Sequence, residues 1–101
     1  MIRHTVVFRL RHPPGSAEEG DFLRSAGGLA AIPGVERFEV LRQVGPQSEY
    51  RFSLSMELAD AAAYRGYNEH PSHVAFVRDR WIPEVESFLE LDFEPYGGDG
   101  V

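Results

Sequence analysis

Two stretches of this chain alternate apolar and polar residues so regularly that only β-strands accommodate them, and a helical segment lies between. In the first, Ile2, His4, Val6, Phe8 and Leu10 share one face while Arg3, Thr5, Val7, Arg9 and Arg11 share the other. In the second, Tyr50, Phe52, Leu54, Met56 and Leu58 alternate with Arg51, Ser53, Ser55 and Glu57. After the first, His12-Pro13-Pro14-Gly15 forms a turn, and Ser16 with Glu19 three residues on is a capping box that opens a helix. Phe22, Leu23, Ala26, Leu29, Ala30 and Ile32 recur at helical spacing until Pro33 and Gly34 end it. Gly27 and Gly28 weaken that helix by up to about 1 kcal/mol each relative to alanine, a weakness that close packing there would explain.

The remaining elements fall around these. Val35 to Val44 predicts a strand with Phe38, Val40 and Val44 on one face, and Gly45 to Ser48 a turn. Asp60 caps a short helix, Ala61 to Tyr67. Pro71 suits the first position of another helix, whose stripe of Val74, Phe76, Val77, Trp81 and Ile82 runs until Pro83 stops it. Glu86 to Glu94 predicts a last strand with Leu89, Leu91 and Phe93 on one face. The order β-α-β-β-α-β, with the second α split at His70-Pro71, is the ferredoxin-like split βαβ arrangement, an α+β fold. It forms one domain over residues 1–96, with the glycine-rich 97–101 as a loose tail. Helices cover such a sheet on one face only. Val7 and other apolar residues on the uncovered face call for a partner, most simply a second copy in a two-fold homodimer.

Composition removes whole classes of function. The chain has no cysteine, which excludes disulfides and thiol chemistry, and all ten of its basic side chains are arginine, so Schiff-base and P-loop lysine chemistry are excluded too. The formal net charge of −6 argues against a nucleic-acid or anionic-membrane surface. No apolar run approaches the roughly 20 residues of a membrane span, and no signal-peptide core opens the chain. A cytoplasmic location is the expectation.

His4 stands out because it occupies an apolar register between Ile2 and Val6. It is either a core histidine bonded to a carbonyl or a polar group lining a pocket between sheet and helices. The second constellation is Tyr67-Asn68-Glu69-His70-Pro71-Ser72-His73. With Pro71 starting a helix, His70 is its N-cap and His73 lies in its first turn, where the helix dipole favours neutral imidazole, the form a general base needs near neutral pH. Tyr67 stands just before the bend, so its phenol can fold back towards His73. Such a pair could take a proton beside a carbonyl and hydrogen-bond the developing enolate oxygen. Otherwise His70 is a cap, His73 satisfies a loop carbonyl and Tyr67 is packing. A metal would need a third ligand from His4 or Glu69, and neither an HExxH pattern nor a nucleotide motif is present, so no metal and no cofactor are expected. Phe76, Trp81, Phe88 and Phe93 read as core.

The stretch His70-Pro71-Ser72-His73-Val74-Ala75-Phe76, with Trp81-Ile82-Pro83 and Leu91-Asp92-Phe93-Glu94 beyond it, resembles the stress-responsive dimeric α+β-barrel (Dabb) family. Ile2-Arg3-His4-Thr5-Val6-Val7-Phe8 matches that family's first strand, and the resemblance spans about residues 1 to 96. It implies a ferredoxin-like monomer, two sheets packed into a barrel across a two-fold axis, and a small cavity between sheet and helices. In a plant polyketide cyclase of the family, which closes a ring by aldol chemistry without a metal, the catalytic tyrosine and histidine match Tyr67 and His73, and a first-strand histidine matches His4. Phe52 stands where that enzyme has another histidine, and an aromatic hydroxyl is replaced near Ala26, so the resemblance implies a different substrate. On this basis Tyr67 and His73 are the expected catalytic pair, and His4, His70, Phe52, Phe22, Phe76 and Trp81 the expected substrate contacts. The implied function is binding of a small carbonyl-containing or aromatic molecule, with cofactor-independent cyclase, lyase or isomerase chemistry. The alternatives are a stress-associated dimer or ligand-binding protein without turnover, and a cofactor-independent monooxygenase.

Overall fold

Strand β1 (Ile2–Leu10) is hydrogen-bonded along both edges, antiparallel to β3 (Phe52–Leu58) on one side and to β4 (Val85–Phe93) on the other. β2 (Glu36–Arg42) joins the far edge of β3, so the order is β2-β3-β1-β4 with every pair antiparallel. This is the ferredoxin-like α+β fold that the element order predicts. The structure, a computed structural model, describes residues 1–97; the tail expected at 97–101 lies outside the described residues apart from Gly97. Among the described residues no helix is long and apolar enough to cross a membrane.

Register decides which side chains form the core. The alternation of β1 sends Val6, Phe8 and Leu10 to the helix side, where they meet Phe52, Leu54, Met56 and Leu58 of β3. Helix α1 (Ala17–Gly27) closes over them with Phe22 and Ala26 fully buried; the Phe8 and Phe22 rings lie 5.8 Å apart. Its start is the expected capping box: the Ser16 hydroxyl accepts from the Glu19 N–H at 3.2 Å, and the Glu19 carboxylate accepts from the Gly15 N–H at 3.1 Å. β2 is shorter than its pattern, ending at Arg42 and leaving Val44 exposed. Arg37, at φ 50°, accompanies a register shift against β3 that blunts this edge.

The two adjacent glycines have another role than close packing. Nothing lies within 4 Å of where a Cβ would stand at Gly27 or Gly28; they sit where α1 tightens into a 3₁₀ turn, Gly28–Ala31. Both have ordinary right-handed helical dihedrals. Gly28→Ala is therefore expected to stabilise the fold by about 0.4–1 kcal/mol, through the unfolded chain, and thermal unfolding should show it as a rise in Tm.

The second helical stretch departs most from its pattern. Asp60 caps α2 (Ala61–Glu69), accepting from the Ala63 N–H at 2.8 Å. His70 is extended, and Pro71 opens α3 (Pro71–Phe76). The chain then widens into a π-helical turn, Val77–Trp81, in which the Ile82 N–H reaches back five residues to the Val77 carbonyl. Pro83 consequently does not stop the helix; it lies inside a last turn, α4 (Ile82–Glu84), because the wide turn has no four-residue bond there for proline to break. The extra residue also changes the phase of the residues beyond it, and Ile82, expected in the buried stripe, is 66% exposed. Val74, at 48%, lies outside the face that α3 buries with Phe76. Trp81 instead packs on Phe8 at 5.0 Å and on Phe88 at 5.5 Å between ring centres. Arg80 fastens this turn to its surroundings, bonding Asp21 of α1 at 2.8 Å and Glu84 at 2.5 Å, while His12 reaches Glu84 at 2.7 Å.

The other sheet face carries no helix. Leu89, Leu91 and Phe93 pair across β4 and β1 with Val7, Thr5 and Arg3, and with Leu41 of β2 they leave an exposed apolar surface. Phe88 and Phe93, expected in the core, are both about half exposed: Phe93 lies on this open face, and Phe88 lies at the rim of the helix side.

Candidate functional site

A cleft of about 360 Å³ lies between the helix side of the sheet and the broken second helix. That volume suits a small molecule. His4, Tyr64, Tyr67, Asn68, His73 and Glu90 supply its polar lining, and Val6, Leu54, Phe76, Trp81 and Phe88 much of its apolar lining. The cleft therefore has polar groups at the α2–α3 junction and aromatic walls beside the π-helical turn. Of the residues expected at a site, five meet here: His4, Tyr67, His73, Phe76 and Trp81.

Three others lie elsewhere. His70 is the N-cap of α3, its Nδ1 accepting from the Ser72 N–H at 3.1 Å. Its replacement by alanine is expected to cost about 1 kcal/mol in denaturant unfolding, the usual value of a helix cap. Phe22 is sealed in the core between Phe8 and Phe76. Phe52 borders a different depression of about 480 Å³, where Arg9, Arg11 and Arg51 face Glu19, Glu49 and Glu86. Arg9 and Glu86 are paired there at 3.1 Å.

Tyr67 and His73 come together because the chain bends between them. The Tyr67 ring, 2% exposed, lies 4.5 Å from the His73 ring between centres, tilted by 49°. No hydrogen bond joins the two, and among the described residues none engages the Tyr67 hydroxyl, which is left free for a ligand. Burial holds that hydroxyl above the ordinary tyrosine pKa, with the charge of Glu90 adding to the effect, so it remains a proton donor. His73 Nδ1 lies 3.1 Å from the Asn68 carbonyl, which can only accept. The proton of neutral His73 therefore sits on Nδ1, and Nε2 keeps its lone pair. Burial lowers the His73 pKa below 6.5, the Asn68 bond opposing that shift. The ring is thus neutral at neutral pH and poised to take a proton.

His4, 6% exposed, is held by a carboxylate and a phenol that the sequence did not single out. β-Pairing sets Asp92 directly across from His4, and His4 Nδ1 lies 2.6 Å from Asp92 Oδ1 and 2.7 Å from the Tyr64 hydroxyl. The Tyr64 hydroxyl donates to Asp92 at 3.0 Å. A carboxylate only accepts, so the His4 Nδ1 carries a proton and donates it to Asp92, the orienting contact a carboxylate makes to histidine in hydrolytic triads. Burial and then Asp92 hold the Tyr64 pKa up. The signal for Tyr64 was its spacing, three residues before Tyr67 on one helix face. Asp92 is visible only once β1 and β4 are paired in register. Among the described residues no three His, Asp or Glu side chains are grouped to hold a metal ion.

The Stress responsive A/B Barrel Domain (Dabb) family matches residues 2–95. Among solved structures, a Dabb family protein with a ferredoxin-like fold from Mesorhizobium loti is 61% identical, with a TM-score of 0.93 over 95% of this chain and 97% of that one. A dimeric ferredoxin-like protein of unknown function from Thermobifida fusca is 23% identical, with a TM-score of 0.78 over 93% of this chain and 90% of that one. The hydroxynitrile lyase from Passiflora edulis matches at 16% identity and a TM-score of 0.79, covering 91% of this chain and 90% of that one. Comparison with curated proteins gives no match.

Proposed function

The chain belongs to the stress-responsive A/B barrel domain (Dabb) family, and from that premise we propose that its cleft binds a small carbonyl-containing or aromatic molecule and moves a proton on it without a cofactor. The observation that carries this reading is the convergence of a neutral, half-buried His73 and a free Tyr67 hydroxyl on one ligand-sized cleft. His73 Nε2 takes a proton from the carbon beside the carbonyl, and Tyr67 donates a hydrogen bond to the oxygen on which negative charge develops. His4, fixed by Asp92 and Tyr64, orients the carbonyl end, and Phe76 and Trp81 hold the apolar body. Cyclisation, isomerisation and cleavage beside a carbonyl all begin from this step.

The elementary step can be tested before any natural substrate is known. In heavy water, protein added to acetophenone and other uncharged methyl ketones is expected to accelerate exchange of the protons beside the carbonyl for deuterium, read by proton NMR. Exchange no faster than in buffer across the panel overturns the catalytic reading.

The assembly we propose is a homodimer through the uncovered sheet face. Its support is the exposed surface of Leu41, Leu89, Leu91 and Phe93, together with relatives in fold such as the Thermobifida fusca protein described as dimeric. A specific interface of this kind buries more than roughly 1,000 Å² in total.

A further inference from the structure

A carboxylate stands on the wrong side of β4 for a residue of a helix-covered sheet. Strand pairing sets Glu90 opposite Val6, which puts it on the helix side with Phe88 and Asp92, and all three of Val6, Phe88 and Glu90 line the cleft. Asp92 is bonded by His4 and Tyr64, whereas among the described residues Glu90 has no ion-pair or hydrogen-bond partner. No arginine lines the cleft, and the sequence holds no lysine. Among the described residues Glu90 is thus the one carboxylate of the lining, and no arginine or lysine stands there to pair with it. An arriving anion meets this like charge at the exposed rim of the cleft, where water screens the repulsion only in part.

We propose that Glu90 sets the charge specificity of the cleft, admitting uncharged ligands and turning away carboxylates and other anions. The proposal rests on the small-molecule reading above and narrows it: the substrate is a neutral carbonyl compound such as an aldehyde or ketone, not a keto acid or a phosphorylated carbonyl. The same charge fits the proposed chemistry, since it offsets the positive charge that His73 acquires on taking a proton. Its influence already reaches the polar end of the cleft, where it raises the proton affinity of Tyr64, Tyr67 and His73.

Benzamide and benzoate test this directly, because they match in shape and differ in charge. Trp81 is the chain's single tryptophan and lines the cleft, so its indole N–H resonance reports occupancy. Titrated at pH 7.5, benzamide is expected to bind about tenfold or more tightly than benzoate, the scale of one like charge a few ångströms away. In Glu90→Gln, an isosteric change at an exposed position, the ratio of the two affinities should fall towards one. Benzoate binding as tightly as benzamide to the native protein, or a ratio unchanged in Glu90→Gln, overturns the role of Glu90 while leaving the cleft a ligand site. If neither probe moves the Trp81 resonance, the small-molecule reading itself fails, and the inference with it.

Discussion

Replacing His73 by alanine is expected to abolish the exchange reaction, while Tyr67→Phe should slow it about 10²- to 10³-fold, the usual loss for one hydrogen-bond donor to a developing oxyanion. The two differ because only His73 carries the lone pair that accepts the proton. Tyr67→Phe leaves the base in place and removes only the donor. The pH dependence supplies a separate check. Because burial lowers the His73 pKa below 6.5, the rate should rise with pH along a curve whose midpoint lies below 6.5. Tyr67, held above the ordinary tyrosine value, should produce no fall at moderately alkaline pH. A midpoint above 6.5 assigns the base to another group. The same shift bears on folding. The unfolded chain takes up a proton at His73 more readily than the folded one, so this group's contribution to stability is present above pH 6.5 and fades as pH falls from there towards the lower folded pKa.

Leu91→Arg is expected to convert the proposed dimer into a monomer. Leu91 pairs with Thr5 on the open face, and Leu89 and Phe93 alternate with it along β4. In a two-fold interface the substitution enters twice, so two guanidinium groups lose water against apolar surface, and like charge meets like. Folding of the monomer is spared, since Leu91 makes no part of the helix-side core. Light scattering at micromolar concentration checks both halves: a dimer mass for the native chain and a monomer mass, with unchanged far-ultraviolet circular dichroism, for the variant. A native monomer mass overturns the proposed assembly.

The fold was legible because its decisive signals are local. Alternation in Ile2–Leu10 and Phe52–Leu58, caps at Ser16, Asp60 and His70, and the break at Pro71 each depend on a few neighbouring residues. The features that escaped depend on distant pairing or on a change of helical pitch. The turn at Val77–Trp81 has no marker residue, and Pro83 after it reads as a stop in any regular helix. In the site, His4, Tyr67 and His73 were visible because each was unusual where it stood. Resemblance alone points Phe52 and Phe22 at the cleft, yet Phe22 faces the deep core and Phe52 lies at the other end of the sheet's helix side. Asp92 and Glu90 look like solvent residues alternating with Leu89, Leu91 and Phe93. Only the pairing of β4 with β1 shows that the apolar set faces out and the carboxylates lie on the helix side, where Glu90 lines the cleft.

The construction of the cleft gives its two walls unequal mechanical character. One is β1, a strand that, like β3, is hydrogen-bonded along both of its edges and so belongs to the last part of such a fold to open. The other is a helical stretch broken at His70 into Ala61–Glu69 and Pro71–Glu84, the second piece carrying the π-helical turn, and helices this short are marginal outside tertiary contact. His4 is anchored in the stiff wall and Tyr67 and His73 in the yielding one. On the proposed function, entry and exit of a ligand would need no hinged domain or long loop, since the weaker helical wall can yield against the sheet, and a molecule bridging the two would brace it.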